Sequence, residues 1–205
     1  MSNNTAVLAA LPLALLQSTR SHDRPGEVLE DEDLSLSLPR RLGLSGVIER
    51  QIQQYETAAK SGKRVSGEEF HNLLKLVLRR PDAELILRET GARVAQRQFS
   101  NVSGAWLKLL RLMPRRVMLH GIRSATTKLL RNMSGAADVT VTGNPIRARI
   151  TKPEVAFLEP EGLGCALYAA AFEELASLYL RRKAGVVHEQ CATNAGDYCE
   201  WRLDV

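Results

Sequence analysis

Three cysteines and one of the chain's four histidines gather toward the carboxyl end in the order Cys165-x22-His188-x2-Cys191-x7-Cys199. Zinc wants four soft or borderline donors in a tetrahedron, and three thiolates with one imidazole complete that shell with no position left for water. Such a site holds a fold together rather than reacting. Because an unfolded chain lacks the assembled site, part of the binding free energy becomes folding free energy. Glu189 is a competing fourth donor, but neighbouring strand residues face opposite ways, which turns it from His188. The spacing leaves other readings open. The cysteines read also as small buried hydrophobes, Cys191 and Cys199 as a disulfide, and Cys165 at a helix start as a thiolate nucleophile with His188 as base. No third residue that would orient such a base is evident.

For these side chains to meet, a helix must pack back on a terminal hairpin, and the sequence supplies both. A long amphipathic helix is expected from about Leu163 to Arg182, starting near Cys165 and ended by Arg181, Arg182, Lys183 and Gly185. Val186 to Cys191 and Tyr198 to Val205 read as strands around an Asn194-Ala195-Gly196-Asp197 turn. Upstream, Val139 and Val141 alternate with threonines, and after Gly143-Asn144-Pro145, Ile146, Ala148 and Ile150 alternate with arginines, which is a hairpin pattern. Val155 to Leu158 is a further candidate strand, confined by Pro153 and Pro160.

The region before the hairpin reads as helices. Val47, Ile48, Ile52 and Tyr55 recur at helical spacing up to Gly62; Ser66 and Glu69 form a capping-box signature ahead of Phe70, Leu73, Leu74, Val77 and Leu78; Asp82 to Glu89 is a helix closed by Gly91. Ser103 caps a helix with Trp106, Leu109, Leu110 and Met113, and Pro114 opens another that runs to about Met133. The expected class is α+β, a helical block followed by an antiparallel sheet with one crossing helix. Residues 1–44 read as a peripheral N-terminal arm with an acidic linker (Glu27, Glu30 to Asp33), and 45–205 as one domain, helical over 45–135 and sheet-bearing over 136–205.

With 205 residues, 44% hydrophobic and 25% charged, the chain can bury a core without disulfides, which excludes the disordered and disulfide-scaffold classes. The longest apolar run, Ala6 to Leu16, is too short for a membrane span, contains Pro12 and has no basic residue before it, so a soluble cytoplasmic protein is expected. A formal charge of +5 permits anionic partners without requiring them.

The stretch Gly143 to Val205, above all His188-Glu189-Gln190-Cys191 and Gly196-Asp197-Tyr198-Cys199-Glu200-Trp201-Arg202-Leu203, resembles the 4-vinyl reductase domain. That family includes a bacteriochlorophyll-biosynthesis protein and the aromatic-sensing regions of phenol- and xylene-responsive activators. The resemblance implies a TRAPP-like ligand-binding fold, often homodimeric. It also implies a structural zinc, since the phenol-sensing relatives hold one with a cysteine, then an acidic residue, x2, cysteine, x7, cysteine. Cys165, Cys191 and Cys199 match the cysteines, and His188 stands in the acidic position, where imidazole is also a good zinc donor. It implies a carrier, sensor or accessory factor for a small hydrophobic or aromatic ligand, with a tetrapyrrole precursor as one candidate. Reduction of a divinyl protochlorophyllide is the enzymatic alternative and would need a partner reductant, since no hydride-carrying cofactor motif is present. A dimeric interaction scaffold is the third reading.

Such a domain implies an apolar pocket between helical block and sheet. Its candidate lining is Trp106, Leu110 and Met113 from one helix, Met118, His120 and Ile122 from the next, and Phe157, Tyr168 and Phe172 from the sheet side, although ordinary core packing explains the same residues. Between Asn101 and Arg131 there are seven basic residues and no acidic one, with Arg115, Arg116 and Arg123 as candidate anion-facing groups. A solvated helix face is the competing explanation, and no nucleic-acid motif accompanies the charge. Gly162-Leu163-Gly164 imitates a nucleotide-binding turn but has Leu167 at the third glycine position and no βαβ context.

Overall fold

Helical periodicity gives way to alternation near residue 138, and the architecture follows it. The computed structural model describes residues 6–22, 46–100, 114–135, 137–158, 162–194 and 196–204. A short strand β1 (Ala6–Leu8) leads into α1 (Ala10–His22), and α2 (Gly46–Lys60) into β2 (Arg64–Ser66) and α3 (Gly67–Leu78). Next come α4 (Ala83–Ser100), α5 (Arg115–Ser134), the hairpin of β3 (Asp138–Thr142) and β4 (Arg147–Thr151), and a 3-10 turn over Glu154–Leu158. The chain closes with α6 (Cys165–Leu180), β5 (Gly185–Gln190), a second 3-10 turn over Ala192–Asn194, and β6 (Tyr198–Asp204). β1 pairs with β2, and the other four strands form an antiparallel sheet in the order β3-β4-β6-β5. The class is α+β.

α6 is apolar over most of its circumference, and a helix of that kind has to be largely surrounded. Cys165, Leu167, Tyr168, Ala170, Ala171, Phe172, Leu175, Ala176 and Tyr179 are all buried. One side meets the sheet, whose inward residues alternate as Ala148 and Ile150 on β4 and Cys199, Trp201 and Leu203 on β6. The other side meets α4 at very short range. A Cβ on Gly91 would lie 2.3 Å from the Leu167 carbonyl oxygen and 2.8 Å from the Ala171 nitrogen, so only glycine lets these two helix backbones approach. Gly91 does not end its helix, as the sequence reading expected; α4 runs on to Ser100 because packing gain outweighs a propensity loss of about 1 kcal/mol.

Three other expectations are corrected. The arm assigned to 1–44 is not peripheral throughout, because β1 and α1 are part of the body. Leu11, Leu13, Leu15 and Ser18 are buried, and Arg64 of β2 donates to the Ala6 carbonyl at 2.8 Å. Pro12 lies in the first turn of α1, where its missing N–H costs nothing. The Ser66 side chain makes no capping bond, and Glu69 instead accepts a hydrogen bond from Tyr55, which joins α3 to α2. Val155–Leu158 is a 3-10 turn rather than a strand. Its three-residue period buries Val155 and leaves Glu154 and Phe157 exposed together. The expected helix over Ser103 to Met113 lies outside the described residues.

Two glycines in helices separate close approach from mere permissiveness. Gly91→Ala is expected to lower stability by more than about 2 kcal/mol, because backbone atoms of α6 must move. Gly121→Ala in α5 meets only Tyr179 Cε1 at 3.6 Å and is expected to raise stability by about 0.5–1 kcal/mol. Urea unfolding midpoints of the two variants check both signs.

Candidate metal centre

The four residues singled out by spacing come together. Cys165 opens α6, His188 lies on β5, Cys191 follows the end of β5, and Cys199 lies near the start of β6. Their potential ligand atoms all lie within 4.8 Å of one another. The sulfur separations are 3.4 Å for Cys165–Cys199, 3.8 Å for Cys165–Cys191 and 3.9 Å for Cys191–Cys199. A tetrahedral ion with metal–sulfur bonds of about 2.3 Å places its sulfurs about 3.8 Å apart, so the triangle has the size such an ion needs. These distances are far beyond the roughly 2.05 Å of a disulfide, and all three thiols are free.

Local sequence explains the convergence. Gly162 has φ +70, and a Cβ there would sit 2.7 Å from the Cys191 sulfur, so the left-handed turn before α6 and the space for that sulfur depend on the same glycine. Gly164 presses on Val155, where a Cβ would come 2.5 Å from the carbonyl oxygen. From Gly162 the chain turns directly into the helix, with the Cys165 N–H donating to the Gly162 carbonyl at 2.9 Å. On the hairpin side, β5 pairs His188 with Trp201 and Gln190 with Glu200, so Glu189 is an extra, bulged residue. The bulge re-aims the strand end just before Cys191.

Glu189 is not a fourth donor to this cluster. It accepts from Arg202 Nε at 2.6 Å and Arg147 Nε at 3.0 Å on the outer face of the sheet, and those hydrogen bonds hold its carboxyl below the usual range. Four donors therefore remain, three of sulfur and one of nitrogen, a set suited to a soft or borderline divalent ion.

The electrostatics of the three sulfurs are mutually opposed. Cys165 is pushed far up as a thiol, first by its hydrogen bond to Cys199 and then by burial and the neighbouring sulfurs. Cys199 is drawn down by the same hydrogen bond against burial, with help from His188 and the Ala192 N–H. Protein donors also reach the sulfurs. Ala192 N–H donates to Cys199 Sγ at 3.3 Å and Thr193 Oγ1 to Cys191 Sγ at 3.1 Å. Such bonds favour charged sulfur, yet three thiolates this close require a cation to offset their repulsion.

His188 is the exposed member of the set, and it is held by stacking. Its ring lies 5.1 Å from that of Trp201 at an interplanar angle of 14°, and Trp201 in turn packs on Tyr168 at 5.8 Å. Sequence reasoning missed this support, together with Gly162 and Thr193. The period of two that puts Cys199 and Trp201 on one face of β6 was the available signal for Trp201, and φ > 0 glycine chemistry was the signal for Gly162.

Of the expected pocket residues that are described, Ile122, Tyr168 and Phe172 belong to one buried core cluster with Met118 packed against it, whereas His120 and Phe157 face outward. Tyr168 and Phe172 are fully buried packing residues of α6, and Ile122 is likewise core. His120 is exposed on α5, Met118 is half-buried, and Phe157 is turned outward with 56% of its surface exposed. Tyr168, Phe172 and Trp201 are buried together in the core where α6 faces the sheet. Trp106, Leu110 and Met113 lie outside the described residues. Of the anion-facing set, Arg116 is exposed and Arg123 half-buried on α5, and Arg115 is the first residue of that helix.

Comparison with protein-family models, with curated proteins and with solved structures returns no match to this chain. The resemblance carried by His188 to Leu203 therefore stands on those residues alone. Among the described residues, no helix is long and apolar enough to cross a membrane.

Gly162→Ala removes no donor, yet it is expected to weaken divalent-metal binding about 10- to 100-fold by displacing Cys191 and straining the turn. Glu189→Gln is expected to leave metal affinity unchanged. Competition against a chromophoric chelator measures both.

Proposed function

We propose that this chain is a zinc-stapled binding module of the 4-vinyl reductase domain kind, with Cys165, His188, Cys191 and Cys199 holding one structural zinc. The single observation that carries the reading is the convergence of one helix start and two strand ends on a sulfur triangle of tetrahedral size. Zinc suits the donor set better than calcium or magnesium, which prefer oxygen, and a shell filled by protein leaves no open position for catalysis. The ion's role is to neutralise the thiolates and to tie α6 to the β5–β6 hairpin. In zinc-finger peptides such binding is worth about 10–16 kcal/mol, comparable with the whole stability of an ordinary domain.

A carrier or sensor role for a small hydrophobic ligand follows from the resemblance and is favoured over vinyl reduction, because the proposed zinc is closed and no group that could donate hydride is identified. The TRAPP-like fold and homodimer belong to the same proposal.

Purified protein is expected to contain one zinc per chain. Cobalt(II) substitution should give the thiolate charge-transfer absorption and intense visible bands of a tetrahedral site. Cys191→Ala should abolish stoichiometric metal and lower the melting temperature. His188→Ala should retain metal at about 10- to 100-fold weaker affinity, since its exposed position lets water replace imidazole. Carefully prepared wild type without metal, as stable as metal-loaded protein, would sink the proposal.

A further inference from the structure

A pocket of about 210 Å³, open on one side, lies between helices, β1 and the α2–β2 turn and takes no residue from the cysteine–histidine cluster. Leu8, Leu11, Val94, Leu129 and Met133 supply its apolar surface, from β1, α1, α4 and α5. Around it stand Lys63 from the α2–β2 turn, Arg97 from α4 and Lys128 from α5. No acidic residue is among the lining residues. The sequence from Asn101 to Arg131, which follows α4 and includes Lys128, contains no carboxylate either.

Several arginines elsewhere among the described residues pair with carboxylates. Arg88 pairs with Glu173, Arg93 with Glu89, Arg147 and Arg202 with Glu189, and Arg149 with Glu200. Among the described residues, Lys63, Arg97 and Lys128 have no ion-pair partner. Three like charges around one apolar hollow repel each other and gain no ion pair from the described residues, so the arrangement is complementary to an anion whose remainder is apolar. The neighbouring polar groups are already directed. Asn132 Oδ1 accepts from Arg64 at 3.4 Å and Gln98 Nε2 donates to the Ala125 carbonyl at 3.0 Å, which fixes the wall between α4 and α5.

We propose that this cavity binds a small amphiphilic carboxylate, its apolar part against Leu11, Val94, Leu129 and Met133 and its anionic head met by Arg97, Lys128 and Lys63. The pocket suits a small ligand such as a straight chain of about eight carbons. The inference rests on the reading of the chain as a binding module and gives that reading a place and a ligand class, but it does not depend on the metal.

Octanoate, 1-octanol and acetate are the probes, titrated calorimetrically into full-length protein whose metal content and circular dichroism are recorded in parallel. Octanoate is expected to bind saturably at one per chain, at least about tenfold tighter than octanol of the same length, with acetate giving no saturation and affinity falling as salt rises. Arg97→Gln and Lys128→Gln are partly or largely exposed changes that should leave the fold and metal content intact while each weakens octanoate about tenfold. Equal affinity for octanoate and octanol, or unaltered octanoate binding in both variants, would overturn the proposal. So would the absence of octanoate binding by folded, metal-loaded wild type, which leaves the zinc reading standing. Octanoate binding with the expected preference, by protein that never holds metal, would support the cavity proposal and sink the zinc reading alone.

Discussion

Three sulfur atoms crowded into one triangle, two of them on buried residues, are the constraint around which the carboxyl-terminal half is organised. Neutral thiols gain little from such proximity, since the S–H bond is weak, and full thiolates this close would repel strongly at low dielectric. The chain nevertheless commits substantial structure to holding them there. A left-handed glycine, a second glycine pressed on the Val155 carbonyl, a β-bulge and a 3-10 turn all converge on the same point. Each feature carries a local cost, and a cation accounts for all of them at once.

The arrangement also ties the cysteine–histidine cluster to the rest of the core through one helix. Cys165 is the first residue of α6, and two residues on, the Leu167 carbonyl faces Gly91 of α4 at a distance that admits no side chain. Three and six residues beyond Gly91 stand Val94 and Arg97, both in the cavity wall. The sheet side is equally direct, because Cys199, Trp201 and Leu203 share the inner face of β6 and Trp201 touches both His188 and Tyr168. A local ligand cluster and an extended hydrophobic core are thus continuous, and what fixes the start of α6 also fixes the faces it offers to α4 and to the sheet.

Much of this was legible in residue types and spacing, for reasons that differ by element. The convergence of Cys165, His188, Cys191 and Cys199 could be read because such side chains are rare and their order along a helix and hairpin restricts where they can lie. The strands could be read because period-two alternation is strict on a sheet with one buried face: Val139, Ala148, Ile150, Cys199 and Trp201 are all inward. What failed were positions where tertiary packing overrides a local signal. Gly91 reads as a helix stop in isolation and is a contact point in the fold. Ala6 to Leu16 is too short to announce itself as a core helix, and its burial depends on α4 and α2, distant in sequence. Val155 to Leu158 has strand composition but lies between prolines, and winds into a 3-10 turn.

Pocket residues are less legible in a sequence for a more general reason. Apolar residues at helical spacing mark a buried face, and a buried face is usually filled by its neighbours, as Tyr168, Phe172 and Trp201 are buried together in one core cluster. A cavity arises where side chains are too small or too oriented to fill the space, and here that is a junction of five elements and a turn, with Ala10, Ala59 and Gly62 among the lining residues. No periodicity encodes such a junction, because its residues come from segments far apart. The charge pattern does retain a trace of it. The carboxylate-free stretch from Asn101 to Arg131 reads as an external anion-binding face, and the structure assigns Lys128 from that stretch, with Arg97 and Lys63 from outside it, to the rim of an apolar hollow. A one-sided charge run in a sequence can therefore report a missing counter-charge inside the fold as well as a partner at its surface.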